Sequence, residues 1–339
     1  MKKVFLALCL MVLAPVFCFP VTIIEKTDTT PGFSLSGTFW LRHTLKYQPD
    51  MLVTNRLSIN RNYISAVFSG KDMVSNVTLD IINSKDAQGA GDFQVWVKLG
   101  YIDFISIPFL SDAGIKVRAG IQPNYFGTNN TWVYNLYEVP VEDRVSLPSA
   151  DMGVSLLGKI PEIPGTYELC MYSGNGYKYL DADFYKALAG SVTVGPIEGA
   201  SLKLSYHKNA GITPRNAEDE DFAVTGIMLM YKNEMTDSYI QFLEKLGPRS
   251  AGATGVKQVV SGYASVKPVD FLSLNLRIDV ENPDTGTADD EMNYYYAGIN
   301  IPVAEKATLM FNYKLGHKRV QKASDVNENM FVTQVKWAW

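Results

Sequence analysis

From Phe33 onward the chain alternates between apolar and polar residues. Phe33, Leu35, Gly37, Phe39 and Leu41 fall on one face of an extended segment, with Ser34, Ser36, Thr38, Trp40 and Arg42 on the other. This period of two is the signature of a strand with one apolar face. It returns at Phe93, Val95, Val97, Leu99 and Tyr101 against Gln94, Lys98 and Gly100, and again at Ile115, Val117, Ala119 and Ile121 against Lys116, Arg118 and Gln122. Farther along, Leu272, Leu274, Leu276 and Ile278 oppose Ser273, Asn275, Arg277 and Asp279.

Marking every such segment predicts sixteen strands. The first eight are 33–46, 52–68, 74–83, 92–106, 114–122, 150–159, 166–174 and 187–195. The others are 199–209, 221–232, 235–246, 255–267, 270–281, 291–301, 305–316 and 328–339. Segments 52–68 and 187–195 alternate poorly, so a bulge or a miscount is expected there.

The links between strands sort by parity. Those after even-numbered strands are short, as at 69–73, 195–199, 268–269 and 302–304, whereas most of the others are longer and richer in Gly, Asn and acids, as at 175–186, 208–220 and 317–327. A soluble sandwich has no reason to do this. A membrane barrel does, because its turns are short on one side of the bilayer and its loops long on the other. The expected fold is therefore all-β, a transmembrane antiparallel barrel of about sixteen strands.

The longest link, 123–149, joins the fifth and sixth strands and carries Tyr125, Phe126, Trp132, Tyr134 and Tyr137. A loop this long and aromatic is expected to be packed on something. Folding into the lumen, where it would narrow the path, is the favoured placement; an outer lid is the alternative.

Composition removes other classes. No apolar run after residue 24 approaches the roughly 20 residues of a membrane helix, and the chain is 19% charged with a mean hydropathy of −0.03. Lys2 and Lys3 followed by apolar Val4 to Phe17 form a cleavable secretory signal. Residues 1–18 are expected to be removed, 19–32 to form a short lead and 33–339 to form the barrel. A lipid anchor on Cys18 is disfavoured by Phe17 and Pro15 before it. Loss of the two signal lysines takes the net charge from −4 to about −6, which argues against nucleic acid as a partner. Cys170 is the one cysteine outside the signal, so no internal disulfide is expected.

Catalysis finds little support. His43, His207 and His317 are not spaced as metal ligands, and there is no Gly-x-Ser-x-Gly elbow. Acid pairs such as Glu218 with Asp221 and Asp289 with Glu291 lack the spacing of a calcium loop. No enzyme activity, cofactor or metal is expected.

The middle of the chain resembles the phosphate-selective porin O and P type of outer-membrane porins. The similarity lies in Tyr101-Ile102-Asp103-Phe104, Lys116 to Pro123, Glu142-Asp143-Arg144, Asp151 to Leu156, Tyr167-Glu168-Leu169 and Tyr172 to Gly176. It spans roughly residues 53–176. The terminal Trp339, with Trp337, is similar to the aromatic end that such barrels present to the barrel assembly machinery and the membrane interface. The resemblance implies an outer-membrane homotrimer whose loop between strands five and six folds inward. Passive diffusion of small hydrophilic or anionic solutes is the expected function. A structural or adhesin-type barrel that binds a partner through its outer loops is the alternative. One departure stands out: the long loop offers Arg144 alone against Glu138, Glu142 and Asp143, whereas phosphate-selective members are similar in having several bases at the constriction.

Sorting charges by strand parity gives a different balance from the whole chain. Arg42, Arg56, Lys98, Lys116, Arg118, Lys203, Lys257, Arg277, Lys314 and Lys336 share the polar faces with Asp80, Asp151, Glu168 and Asp279. A basic lumen focuses anions, so weak anion preference is expected, with Arg118 as the leading residue. Pairing of these bases with neighbouring acids, such as Arg277 with Asp151 or Asp279, is the alternative role.

Overall fold

The computed structural model describes residues 21–27, 30–48, 51–59, 61–85, 91–129, 131–132, 135–136, 139–178, 186–209, 221–247, 255–286, 290–319 and 326–339. The proposed signal, Tyr134, Tyr137 and Glu138 lie outside the described residues.

The strands are β1 (Val21–Ile24), β2 (Gly32–Gln48), β3 (Met51–Ile59), β4 (Asn62–Ser69), β5 (Met73–Lys85), β6 (Gly91–Phe104), β7 (Ile115–Pro123), β8 (Ala150–Lys159) and β9 (Gly165–Tyr172). They continue as β10 (Ala187–Ile197), β11 (Ala200–Asn209), β12 (Phe222–Lys232), β13 (Thr236–Leu246), β14 (Val256–Val269), β15 (Leu272–Asn282), β16 (Met292–Ala304), β17 (Ala307–Lys318) and β18 (Val326–Ala338). All pair antiparallel, and β18 pairs with β2, which closes the sheet. Closure removes the free edges that lipid could not satisfy.

The segment 52–68 is divided. β2 pairs with β3 through Leu41 to Gln48 and with β4 through Gly32 to Thr38, so β3 and β4 are two parts of one crossing of the wall. Arg61, at the break, has φ of 57°. Counted this way, the described residues form a sixteen-strand barrel. Segment 187–195 is a full strand, β10. Within the N-terminal lead, β1 pairs with Phe33 to Leu35 of β2.

The wall is polar inside and apolar outside. On β15, Leu276 is 60% exposed and Ile278 49%, whereas Arg277 is 1% and Asp279 0%. A soluble protein inverts this order; a bilayer requires it. The chain is a transmembrane-type β-barrel, and no described helix is long and apolar enough to cross a membrane.

One strand breaks the expected alternation. Thr78 faces Leu99 while the next residue, Leu79, faces Val97, leaving Lys98 as an extra residue in β6. A bulge of this kind shifts parity beyond it. Tyr101, expected on the face of Phe93 to Val97, instead turns to the lumen, where Asn76 donates to its hydroxyl at 3.4 Å. Asp103 follows it inward.

The barrel closes at its short-turn end through Gly37 and Trp339. Each backbone N–H donates to the other's carbonyl, at 2.8 and 2.9 Å. The Trp339 ring covers Gly37 so closely that a Cβ there would lie 2.5 Å from it. Trp337 pairs with Phe39 on the neighbouring strand.

The candidate functional site: an inward loop and the luminal wall

The long loop leaves the wall after Pro123. Its base is pinned by Asn124 N–H donating to the Ser149 carbonyl at 3.0 Å and by the Tyr172 hydroxyl donating to the Pro123 carbonyl at 3.0 Å. Phe126, Val141, Val145 and Leu147 then pack in one cluster with Phe222, Val224, Leu243 and Val259. The last four stand at luminal positions of β12, β13 and β14, so the loop lies inside the barrel. Full burial of such side chains is worth about 1.5–3 kcal/mol each, and it explains why this arc of the lumen is apolar. A second contact brings Leu136 and Trp132 against Met228, Tyr239, Tyr263 and Tyr296.

Polar anchors fix the loop's position. Lys203 donates to the Gly127 carbonyl at 3.0 Å, and Asn300 to the Asn135 carbonyl at 2.8 Å. Glu142, fully buried, accepts from Thr128 N–H at 2.5 Å, from Thr128 Oγ1 at 2.7 Å and from Gln241 Nε2 at 2.7 Å. Gly127, between them, has φ of 52°, and a Cβ there would sit 2.9 Å from the Glu142 carboxyl carbon. Val141–Val145 is a single 3-10 turn that buries Glu142 and leaves Asp143 exposed.

Arg144 and Arg277 meet over the same acids. Arg144 Nε lies 2.9 Å from Asp279 Oδ2, its Nη1 3.3 Å from Glu281, and its Nη2 donates to the Tyr296 hydroxyl at 2.5 Å. Arg277 holds both Asp279 oxygens, at 2.8 and 2.9 Å, and donates to the Val139 carbonyl of the loop at 2.6 Å. Of the two acids expected for Arg277, Asp279 is the partner.

On β7, Arg118 faces the lumen but its charge is compensated. It spans Asp103 at 2.5 and 2.8 Å, donates to the Tyr125 hydroxyl and stacks over the Tyr101 ring, 3.7 Å from its centre. Lys116 reaches the same Asp103 at 2.9 Å. Burial pushes the Tyr125 phenol up, against the pull of Arg118, so it remains a neutral loop hydroxyl beside that guanidinium.

The other predicted residues lie along the arc that the loop leaves uncovered. Arg42 donates to Gln334 at 3.0 and 3.1 Å, and Lys98 to the Tyr63 hydroxyl at 2.8 Å. Lys314 lies 5.1 Å from the Tyr294 ring centre, and Lys336 5.8 Å from that of Trp40. Two residues missed in the sequence join them, Lys46 and Glu328, paired at 2.8 Å. Glu281, also missed, binds Lys257 at 2.6 Å. The arc from β17 through β2 to β6 thus sets Lys314, Lys336, Arg42, Lys46, Arg56 and Lys98 against Glu328 and Asp80. Under the loop, Lys203, Lys257, Arg277 and Arg144 face Glu142, Glu168, Asp279 and Glu281, a near balance. Among the described residues no group of three His, Cys, Asp or Glu could hold a metal.

No family model matches the sequence, and no curated protein matches it. Solved structures do. The outer membrane channel DcaP of Acinetobacter baumannii superposes with a TM-score of 0.67 at 11% identity, covering 93% of this chain and 99% of that one. The anion-selective porin from Comamonas acidovorans gives 0.60 at 9% identity over 91% and 100%. The trimer form of OmpT, an outer membrane protein of Vibrio cholerae, gives 0.61 at 11% over 91% and 99%. At these identities the likeness is one of fold: the chain has the barrel architecture of outer-membrane channels and porins.

Proposed function

We propose that this chain is a porin, a passive channel for small hydrophilic solutes with a weak preference for anions. The observation that carries the proposal is the split lumen. Side chains under the loop, such as Lys203, Gln241 and Arg277, are buried, while Thr44, Lys46, Thr54, Arg56 and Ser58 on the opposite arc are half-exposed within the barrel. That leaves a wet path with basic side chains along one wall, and a low-dielectric surround strengthens their field. The similarity in fold to channels, one of them described as anion-selective, supports the reading.

The sequence resemblance to phosphate-selective porins enters this proposal only as general anion passage, because the loop's one arginine is neutralised by Asp279 and Glu281. Arg56, Lys98, Lys314 and Lys336 are proposed as the residues that set selectivity; Arg42, buried against Gln334, and Lys116, Arg118, Lys203, Arg277, Glu142 and Arg144 line the lumen and shape it. Asp143 faces the solution. The chain is proposed to work as a homotrimer without catalytic activity, with Trp337 and Trp339 at the membrane interface and Trp339 read by the assembly machinery. The reversal potential of the purified protein under a potassium chloride gradient tests the central point. Chloride preference is expected, and cation preference would contradict it.

A further inference from the structure

A second segment also leaves the wall toward the lumen. Beyond β9 the chain turns inward at Ser173, held by Asp151, whose Oδ1 accepts from Ser173 Oγ at 2.5 Å and whose Oδ2 accepts from Gly174 N–H at 3.0 Å. Gly174 and Gly176, with φ of 92° and 72°, take turns that side chains resist. Tyr177 N–H then donates to the Ala150 carbonyl at the start of β8, at 3.1 Å.

From there the Tyr177 side chain reaches β5. Its hydroxyl donates to Asp80 Oδ2 on β5 at 3.1 Å, and β6 and β7 lie between β5 and β8. At about 4.8 Å per strand, the gap is about 14 Å, so the segment must lean inward to close it. It does so where the ladder is incomplete: pairing of β6 with β7 ends at Gly100 and Ile121, while β6 itself runs out to Gly91.

Two polar atoms lie buried without a hydrogen-bond partner beside this crossing, Asp80 Oδ1 and Trp96 Nε1, on residues that face each other across β5 and β6. Lifting Tyr177 would let water reach Asp80, so the closed position is held against a solvation gain. Desolvation pushes the Tyr177 phenol up, with the Asp80 charge acting in the same direction, so it stays a donor.

We infer that Ser173 to Tyr177 is a strap across the outer half of the lumen, latched by the hydrogen bond from Tyr177 to Asp80, and that Tyr177 is a second size-limiting residue besides the long loop. The inference rests on the channel reading. It assigns the upper limit of solute size to two elements on different strands.

Bilayer recordings of the full chain, with poly(ethylene glycols) of increasing size as the probe, test it. Tyr177→Ala is expected to raise the conductance and to move the exclusion limit to larger polymers. Tyr177→Phe, which keeps the ring and loses the latch, is expected to flicker between the wild-type and Tyr177→Ala levels. Asp80→Asn retains an acceptor and is expected to stay at the wild-type level. A conducting wild type with Tyr177→Ala unchanged in both readouts overturns this inference alone. A wild type that passes no current overturns the channel reading and the inference with it.

Discussion

Arg144, carried into the barrel by the long loop, lies 2.9 Å from Asp279 on the wall strand β15. Asp279 is fully buried, is shared with Arg277 of the same strand and accepts from Ser261 Oγ on β14 at 2.7 Å, so one carboxylate ties the loop to two strands of the wall. Charge-assisted hydrogen bonds in such surroundings contribute about 1.5–3 kcal/mol. Arg144→Ala should therefore loosen the loop without unfolding the barrel, because Arg277 still compensates Asp279. Single-channel records should show added current noise and a higher mean level, while the heat-modifiable gel band stays folded.

Selectivity should follow the uncovered arc. Changing Arg56 and Lys98 together to Glu reverses two charges beside the wet path, and the reversal potential should move toward cations. Arg118→Glu should behave differently, because it sets two carboxylates against each other at Asp103. Breaking a buried pair costs on the order of 3–5 kcal/mol, so the expected result is reduced yield of folded barrel. A reversal potential that moves with Arg118→Glu and stays put with the Arg56 and Lys98 change would place the selecting charges on β7 instead.

The ring closure predicts an assembly defect. A side chain at Gly37 cannot coexist with the Trp339 ring as placed, so Gly37→Val should lower the fraction of barrel that folds in detergent. Removing Trp339 should lower it too, through loss of two backbone hydrogen bonds. Folded yields equal to wild type for both variants would remove this contact from the assembly step.

How much of this was legible in the sequence varies from strand to strand. β15 was plain, because Leu274, Leu276 and Ile278 meet lipid while Asn275, Arg277 and Asp279 meet the lumen, so each face imposes its own chemistry. β6 was not, because one extra residue at Lys98 reverses the faces and no residue type marks it. That slip hid Asp103 and made Arg118 look uncompensated. The loop's inward course has a second readable signal besides its aromatic residues. On β12, luminal Phe222, Val224 and Met228 alternate with outward Ile227 and Leu229, so the strand is apolar on both faces. In a barrel with a wet interior that pattern means something docks there, and Phe126 does. The Tyr177 to Asp80 contact joins positions 97 residues apart, which no local pattern encodes.

Protease should find the loops and spare the wall. Trypsin added to unheated protein in mild detergent should cut at exposed Arg319, beyond the end of β17, and leave Arg277, whose side chain is fully buried. Early cleavage after Arg277 would be incompatible with a closed barrel.

The most direct test of the channel itself is a planar-bilayer recording that compares the purified full chain with a variant lacking residues 129–137 of the inward loop. The proposed channel function predicts discrete conductance steps for the full chain and larger steps for the variant, since Trp132 and Leu136 leave the lumen with the deleted segment. A folded full-length barrel that produces no steps, or a folded variant whose steps are the same size, would contradict a lumen that conducts and is narrowed by its own loop.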